Sequence, residues 1–547
     1  LGLLCCLPKK PTGSTQDGEP AFLPSDTRPL AIVDTANRLI ANAARLRWEK
    51  LLVSWIHPAQ RGFLPHRSML ANVIDLEESS VETNLVEKDG AAVLFDFSAA
   101  FPSIAHDFLL AVLAHIGVPL AALAFIKALY HKTGAQMQMA GTRGGQFQIT
   151  AGIRQGCPLS PLLFVVTLDG LIRRMLREIP GVMPRMYADD TAVVVKDMAC
   201  HLPLLYTIFQ DLEAAANLNL NLKKCVLIPL GDRPLEGIPQ ALASICPRWV
   251  EMKPGHYGMY LGFAVGPGKA NHSWTSPLRK AWEKMLLWDW GRLGLFFAIS
   301  VWNMNILPSL TFVAQLEHPL AAIIKQTEAM LRKVGYGPGG WCQTADLLHL
   351  RRGFGFAAEC RSLAETSRAA MMRVYCWEDS WHEGLRVSNR VARLRPLVLR
   401  SPFITRCGRW ADWHRGHPLE ALAQNQLHLE AECGIRRLPV ETRKLHAHGP
   451  QRCYIASAAA SKRRCGRRWR HAPAFTPRAG SVRSSTASAF GTVGRPPAAP
   501  SASVASQPKQ LRGSLLPASA HFGTGGLRGA AASTVDARAY WGCPSGE

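Results

Sequence analysis

Met186-Tyr187-Ala188-Asp189-Asp190-Thr191, running into Val193-Val194-Val195, is the stretch whose reading decides the fold. Two adjacent carboxylates stand between an aromatic approach and a β-branched exit, a pattern that predicts a tight hairpin with the acids at its turn. Neighbouring carboxylates repel, and holding both ionised in a crevice is unfavourable unless a cation neutralises them. Hard divalent ions bound through oxygen serve that purpose. A third acid, Asp96, closes the apolar run Ala91-Ala92-Val93-Leu94-Phe95. A strand ending in Asp beside a hairpin carrying Asp-Asp is the arrangement of a two-metal phosphoryl-transfer site.

A bare Asp-Asp pair is more often a solvated turn than a metal site. Order and company change that. Between the two acidic strands lies Gly152-Ile153-Arg154-Gln155-Gly156-Cys157-Pro158-Leu159-Ser160-Pro161, leading into Leu162-Leu163-Phe164-Val165-Val166. Phe95-Asp96-Phe97-Ser98-Ala99-Ala100-Phe101 precedes it; Asn221-Leu222-Lys223-Lys224 and Tyr260-Leu261-Gly262-Phe263 follow the hairpin. Upstream stand Arg28-Pro29-Leu30 and Gln60-Arg61-Gly62-Phe63-Leu64-Pro65-His66-Arg67. In these ordered blocks, over roughly half its length, the chain resembles the reverse transcriptases of non-LTR (LINE-like) retrotransposons.

The resemblance implies an α+β right-hand polymerase. Fingers and palm would occupy residues 1–267, a helical thumb and connector 268–440, and a basic, low-complexity, disordered tail 441–547. It implies RNA-directed DNA synthesis, with an RNA template, a DNA primer and deoxynucleoside triphosphates as partners. Two Mg²⁺ ions, with Mn²⁺ able to substitute, would be held by Asp96, Asp189 and Asp190, the first two bridging both ions. Lys9 and Arg28 would hold the triphosphate from the fingers, and Tyr187 would lie at the nucleotide. Gln155 and Gly156 would approach template and nucleotide, glycine permitting close backbone contact and the amide bonding a base edge or sugar. Lys224 would serve the departing pyrophosphate, with an ordinary surface lysine as the alternative. Tyr260, Leu261 and Gly262 would grip the primer end. Phe101 stands where the family places an aromatic under the sugar, a flat ring leaving no room for a 2′-hydroxyl; the alternative is a core aromatic on a strand-to-helix turn. Pro102 replaces an Asp common in the family. A different class of function, a catalytically silent nucleic-acid-binding remnant, is favoured by Pro102 and the unpatterned tail and opposed by the intact acidic triad.

Composition agrees with a polyanionic partner. The net charge is +23, from 63 basic and 40 acidic side chains among 547 residues. Residues 442–535 contain no Asp or Glu and 15 Lys and Arg, leaving about +8 elsewhere. That segment includes Ser461-Lys462-Arg463-Arg464-Cys465-Gly466-Arg467-Arg468-Trp469-Arg470 and reads as a nucleic-acid-binding or nuclear-import tail, or as a decayed extension. Fourteen cysteines include no Cys-x-x-Cys, which argues against a structural zinc site and for reduced thiols. Residues 1–7 are too short for a secretory signal. Residues 296–316 are uncharged and long enough to span a bilayer. Ser300, Asn303, Asn305, Pro308 and Ser309 favour a buried helix pair broken near Pro308. The expectation is an intracellular protein of nucleus and cytoplasm. Periodicity further predicts a long helix over 31–56, a hairpin tipped at 141–145, and helices over 161–179 and 202–216.

Overall fold

The computed structural model describes residues 2–375 apart from 10, 16–18, 24–26, 140–141 and 232, together with 418, 421, 424 and 425. At its centre is a five-stranded sheet in the order Lys253–Pro254, Val226–Pro229, Ala91–Phe95, Asp190–Val195, Met183–Tyr187. The middle strand Ala91–Phe95 is buried at every position. Its unbroken apolar sequence follows from layers of structure on both faces. Ala91, Val93 and Phe95 enter one core with Phe164, Leu205 and Phe209. Ala92 and Leu94 enter another with Leu70, Val73 and Trp274. Alternation along a single strand therefore feeds two cores.

The first core holds the helices Ser160–Glu178 and Met198–Ala216. Phe164, fully buried there, stabilises the fold by about 1.5–3 kcal/mol through the apolar area it removes from water. The second core joins the helix Met69–Val86 to the helices that follow residue 271, from His272–Leu286 to Leu363–Tyr375. A buried ion pair ties these parts. Glu77 Oε2 lies 3.0 Å from Lys269 Nζ, and Glu77 Oε1 accepts the Gly266 amide at 2.8 Å. Beside it, Ser273 donates to Glu317 at 2.7 Å and accepts from the Ala264 amide at 2.8 Å.

A separate four-stranded sheet, ordered Thr27–Ile32, Gly2–Pro8, Gly134–Met139, Thr142–Gln148, carries the N-terminal blocks. It corrects two expectations. The predicted helix over 31–56 starts later, at Thr35, because Thr27–Ile32 pairs antiparallel with Gly2–Pro8 and Asp34 caps the amides of Ala36 and Asn37. The hairpin tip is not at 141–145: Gly144 and Gly145 lie within the strand Thr142–Gln148, and Thr142 already pairs with Met139. The helix expected over 202–216 begins at Met198, where Asp197 accepts the Cys200 amide, and accommodates Pro203.

The apolar stretch is interrupted just before Pro308, as expected, but it is not a fully buried helix pair. Trp290–Val301 runs into a π-helical turn, Trp302–Ile306, and then Pro308–Thr311. The 22 residues Trp290–Thr311 are long and apolar enough to cross a membrane, the one such helix among the described residues. One face packs inward through Ala298, Ile299, Trp302, Ile306 and Leu310, while Phe296, Phe297 and Met304 are exposed. Asn303, polar in an apolar run, donates to Glu359 O and accepts from the Arg361 amide, both at 2.9 Å. The basic tail and the segment beyond Tyr375 lie outside the described residues, apart from the four positions named above.

Candidate active site

Sheet register builds the site. Tyr187 pairs with Asp190 across a two-residue loop, Ala188 and Asp189. Phe95 pairs with Thr191, and one further step of that register sets Asp96 beside Asp190. Ala188 takes a left-handed φ of 59°. Thr191 Oγ1 donates to Asp189 O at 3.1 Å, closing the loop from below.

Asp96 is fixed through its backbone. Its carbonyl accepts the Asn221 amide at 2.7 Å, and its amide approaches the buried Cys225 Sγ at 3.4 Å. Its Oδ2 is shut off from solvent and accepts no hydrogen bond, although Lys224 Nζ stands 3.3 Å away. The Asn221 to Cys225 turn thus delivers Lys224 to Asp96, and Lys224 remains largely exposed.

Both acids of the turn are disfavoured as charges. Withdrawal from water pushes the Asp189 carboxyl above the ordinary range, Asp96 adds to that, and Arg28 opposes it. Asp190 is pushed up to about 6 by withdrawal from water, then by Asp189 and by Asp96. Among the described residues no three acidic, His or Cys side chains converge closely enough to enclose an ion. The donor set is nonetheless chemically suited to a hard cation: carboxylate oxygens alone, mutually repelling, one of them buried without a donor.

This crowding of charge should make stability depend on pH. Because the folded Asp190 titrates near 6 and an unfolded Asp near 3.9, the folded state binds the extra proton between those values. Stability therefore falls as pH rises from about 4 to about 6, and the penalty is complete above that window. Two units would correspond to about 3 kcal/mol. Asp190 is exposed by accessible area, however, so solvent screening leaves on the order of 1 kcal/mol. Asp190→Asn, unfolded in EDTA, should be more stable than wild type by that amount at pH 7.5 and equal to it at pH 4. A difference that does not change with pH would contradict this assignment.

Phe101 begins its turn from Ala99, left-handed at φ 50°. Its ring stacks on Phe164 at 4.1 Å and 14°, and Phe63 meets it edge-on at 5.9 Å. Phe63 also lies 6.4 Å from Tyr187, so a string of aromatics runs from Phe101 to the acidic turn. The Phe101 carbonyl accepts the Ile153 amide at 2.7 Å, hanging the next loop from this turn. In that loop Gly156 has φ 96°, and a Cβ on it would come within 2.4 Å of Ala31 O, so only glycine lets the loop close on the N-terminal sheet. Gln155 is half-buried beside it. Arg154 has a structural task, donating to Leu129 O and lying over the Tyr130 ring.

Arg28 is exposed and directs its charge at Asp189. Strand pairing of Leu7 with Arg28 places Lys9 at the same end of the sheet, just beyond Pro8. Gly258–Tyr260 and Phe263–Val265 form the expected hairpin around Leu261 and Gly262, at φ 49° and 85°. The Tyr260 side chain is not offered to a primer. It is 3 % exposed and donates to Arg185 O at 3.1 Å, while Asn72 Nδ2 lies 3.3 Å from its hydroxyl.

Sequence reasoning assigned no role to the groups that brace the acidic strand from behind. Asn72 donates to Met186 O at 2.8 Å, and Arg61 Nη1 reaches Asn72 Oδ1 and Asp75 Oδ2 at 2.9 and 2.7 Å. Arg185 joins Asp75 at 3.1 Å. Residues 60–67, expected with the fingers, run against the acidic hairpin: Met186 N donates to Ala59 O and Arg61 N to Met186 O, both at 2.9 Å. Arg67 then closes the preceding helix by donating to Val53, Ile56, His57 and Gln60 carbonyls. Asn72 and Glu77, polar among Leu70, Val73, Ile74 and Leu76, were the available signal.

Comparison with known families adds a decisive observation. Residues 7–264 match the family model described as reverse transcriptase (RNA-dependent DNA polymerase). This chain carries a reverse transcriptase domain. It is similar to the Pol polyproteins of retrotransposable elements. The Pol polyprotein of retrotransposable element R2DM from Drosophila melanogaster is 26 % identical over 217 residues, 39 % of this chain and 20 % of that protein. An R2 Pol polyprotein from Nasonia vitripennis is 30 % identical over 173 residues, 31 % of this chain and 16 % of that one. The uncharacterized 149 kDa protein of transposon TX1 from Xenopus laevis is 23 % identical over 256 residues, 45 % and 19 % of the two chains. The chain therefore matches about a fifth of the length of these curated relatives. A telomerase structure from Candida tropicalis overlies 81 % of this chain and 63 % of that one at 9 % identity and TM-score 0.34, a likeness too loose to support an inference.

Proposed function

We propose that this reverse transcriptase domain extends a primer 3′-hydroxyl with deoxynucleotides on an RNA template, by two-metal phosphoryl transfer. The supporting observation is the sheet register that sets Asp96 beside the Asp189–Asp190 turn, where Asp96 disfavours the charge of both acids of the turn and Asp189 that of Asp190. Asp96, Asp189 and Asp190 would hold Mg²⁺, which when bound neutralises charge on the reacting phosphate. The chain's own residues supply position. Arg28 and Lys9, at one end of the N-terminal sheet, hold the triphosphate as fingers, and Gln155 and Gly156 bring the loop against template and nucleotide. Lys224, now paired with Asp96, is released to the pyrophosphate when the acids are neutralised. Leu261 and Gly262 present backbone to the primer end, with Tyr260 as the anchor beneath. The helices after residue 271 serve as thumb, and the setting is intracellular.

Primer extension on an RNA template with Mg²⁺ tests this. Asp189→Asn should lower the rate at least about 100-fold, the scale for losing a group that stabilises transition-state charge. Equal signals from the two proteins would favour the silent nucleic-acid-binding reading. Phe101 provides a second test. Shortening it with Phe101→Val removes an overlap with a 2′-hydroxyl, so the ratio of kcat/KM for ribo- over deoxynucleotides should rise about 10–100-fold. The stack on Phe164 means that stability falls as well. If both activities fall together and their ratio stays put, Phe101 is a core aromatic and nothing more.

A further inference from the structure

We propose that Gln60 is the positioning residue of the acidic turn, holding Ala188 in the conformation that presents Asp189; the inference rests on the catalytic reading above. Gln60 is completely buried, and its side-chain amide is spent on backbone. Oε1 accepts from Ala188 N and from Gly62 N, both at 2.9 Å, and Nε2 donates to Ala188 O at 3.2 Å. The orientation of the amide is settled by this pattern, since reversing it would set an NH₂ group against two N–H donors.

Both polar groups of Ala188 are thereby satisfied by one side chain, as a neighbouring strand would satisfy them. Ala188 needs such a clamp. Its φ of 59° is a conformation that residues with a Cβ adopt only when surroundings enforce it. Gly62 completes the clamp: a Cβ there would come within 2.1 Å of Ala188 N, so residues 60–62 lie directly on the turn. The parallel bridge between Gln60 and Met186 fixes the same segment to the approaching strand. Gln60 and Ala188 are both buried. Gln60 acts only through the place it gives Asp189, and so through the affinity of the acids for a cation.

The test compares full-length wild type, Gln60→Met and Gln60→Met combined with Ala188→Gly. Methionine keeps the length and loses every hydrogen bond. Three readouts are taken: hydrogen exchange at the Ala188 amide, Mn²⁺ affinity from the resonance signal of the free ion, and primer extension. Gln60→Met should speed exchange of that amide about 100-fold, because the bond that protects it is gone. It should weaken Mn²⁺ binding about 10-fold, the lower end for losing a group that orients ligands. It should lower kcat by up to about 100-fold with nucleotide KM little changed. Ala188→Gly should restore part of the Mn²⁺ affinity, because glycine adopts φ 59° without help.

A folded Gln60→Met protein with wild-type exchange and Mn²⁺ affinity would overturn the proposal. So would losses that Ala188→Gly fails to mend, which would make Gln60 a core filler. Should Gln60→Met not fold, Gln60→Asn, which keeps a buried amide one methylene too short to reach Ala188, is read by the same criteria. If wild type extends no primer, yet its Mn²⁺ affinity drops on Gln60→Met, the catalytic reading falls and this one stands. If wild type extends primers and Gln60→Met extends them equally well, this proposal falls and the catalytic reading stands.

Discussion

Lys269→Met is expected to destabilise the protein by about 3–5 kcal/mol, the scale for breaking a buried ion pair from one side. The side chains of Lys269 and Glu77 are 5 % and 1 % exposed, so the carboxylate left behind has no water to turn to. Its second oxygen already holds the Gly266 amide and cannot be moved without opening that turn. Glu317, whose carboxyl burial pushes up and Lys269 pulls down, would lose its cation as well. Glu317 would then favour protonation more strongly, and the difference from wild type should shrink at low pH. The double variant Glu77→Gln with Lys269→Met, which leaves no uncompensated charge from the pair, should recover much of the loss. Urea unfolding of the three proteins measures this. A Lys269→Met penalty below about 1 kcal/mol would mean that the cluster is hydrated and the pair of little weight.

Gly62→Ala should be as damaging, by geometry in place of charge. The added methyl would sit 2.1 Å from Ala188 N and 2.8 Å from Tyr187 C, backbone atoms that no rotamer change can clear. Overpacking of that kind stands at the upper end of its usual range, about 3 kcal/mol or more. Relief requires residues 60–62 and the acidic hairpin to part, which removes the hydrogen bonds from Gln60. The expected result is a lowered melting temperature together with loss of primer extension beyond what the fraction unfolded explains. A variant that melts normally and extends normally would show that the segment can shift without consequence. Gly144→Ala, where the nearest atoms lie at 3.6 Å, is the matching control and should behave as wild type.

How much of this could be read from sequence depends on the range over which each signal acts. The acidic hairpin was legible because its cause is local: a two-residue loop with alternating apolar residues on either side. The strand ending at Asp96 was legible because five apolar residues in a row suit a strand covered on both faces. The start of the helix at Thr35 was missed because Arg28-Pro29-Leu30-Ala31-Ile32 carries enough apolar residues to pass for helix. Only its partner, Gly2–Pro8, makes it a strand. Gln60 was quoted within a family block and given no task, since its partner Ala188 lies 128 residues away. The inward turn of Tyr260 was invisible for the same reason, its acceptor being Arg185 O, 75 residues before it. Metal-site composition was readable, because carboxylates alone in one crevice suit a hard cation.

The strand Met183–Tyr187 is the last of its sheet. A border strand with bare amides and carbonyls is an invitation to any other extended chain, and proteins guard such borders against self-association. Here the guard is residues 59–61, whose hydrogen bonds to Met186 take up part of the free edge while the side chain of Gln60 reaches on to Ala188. The segment that keeps this protein from adding strands of its neighbours is thus the same one that aims its acidic turn. A lesion there would show itself as loss of solubility and loss of chemistry at once.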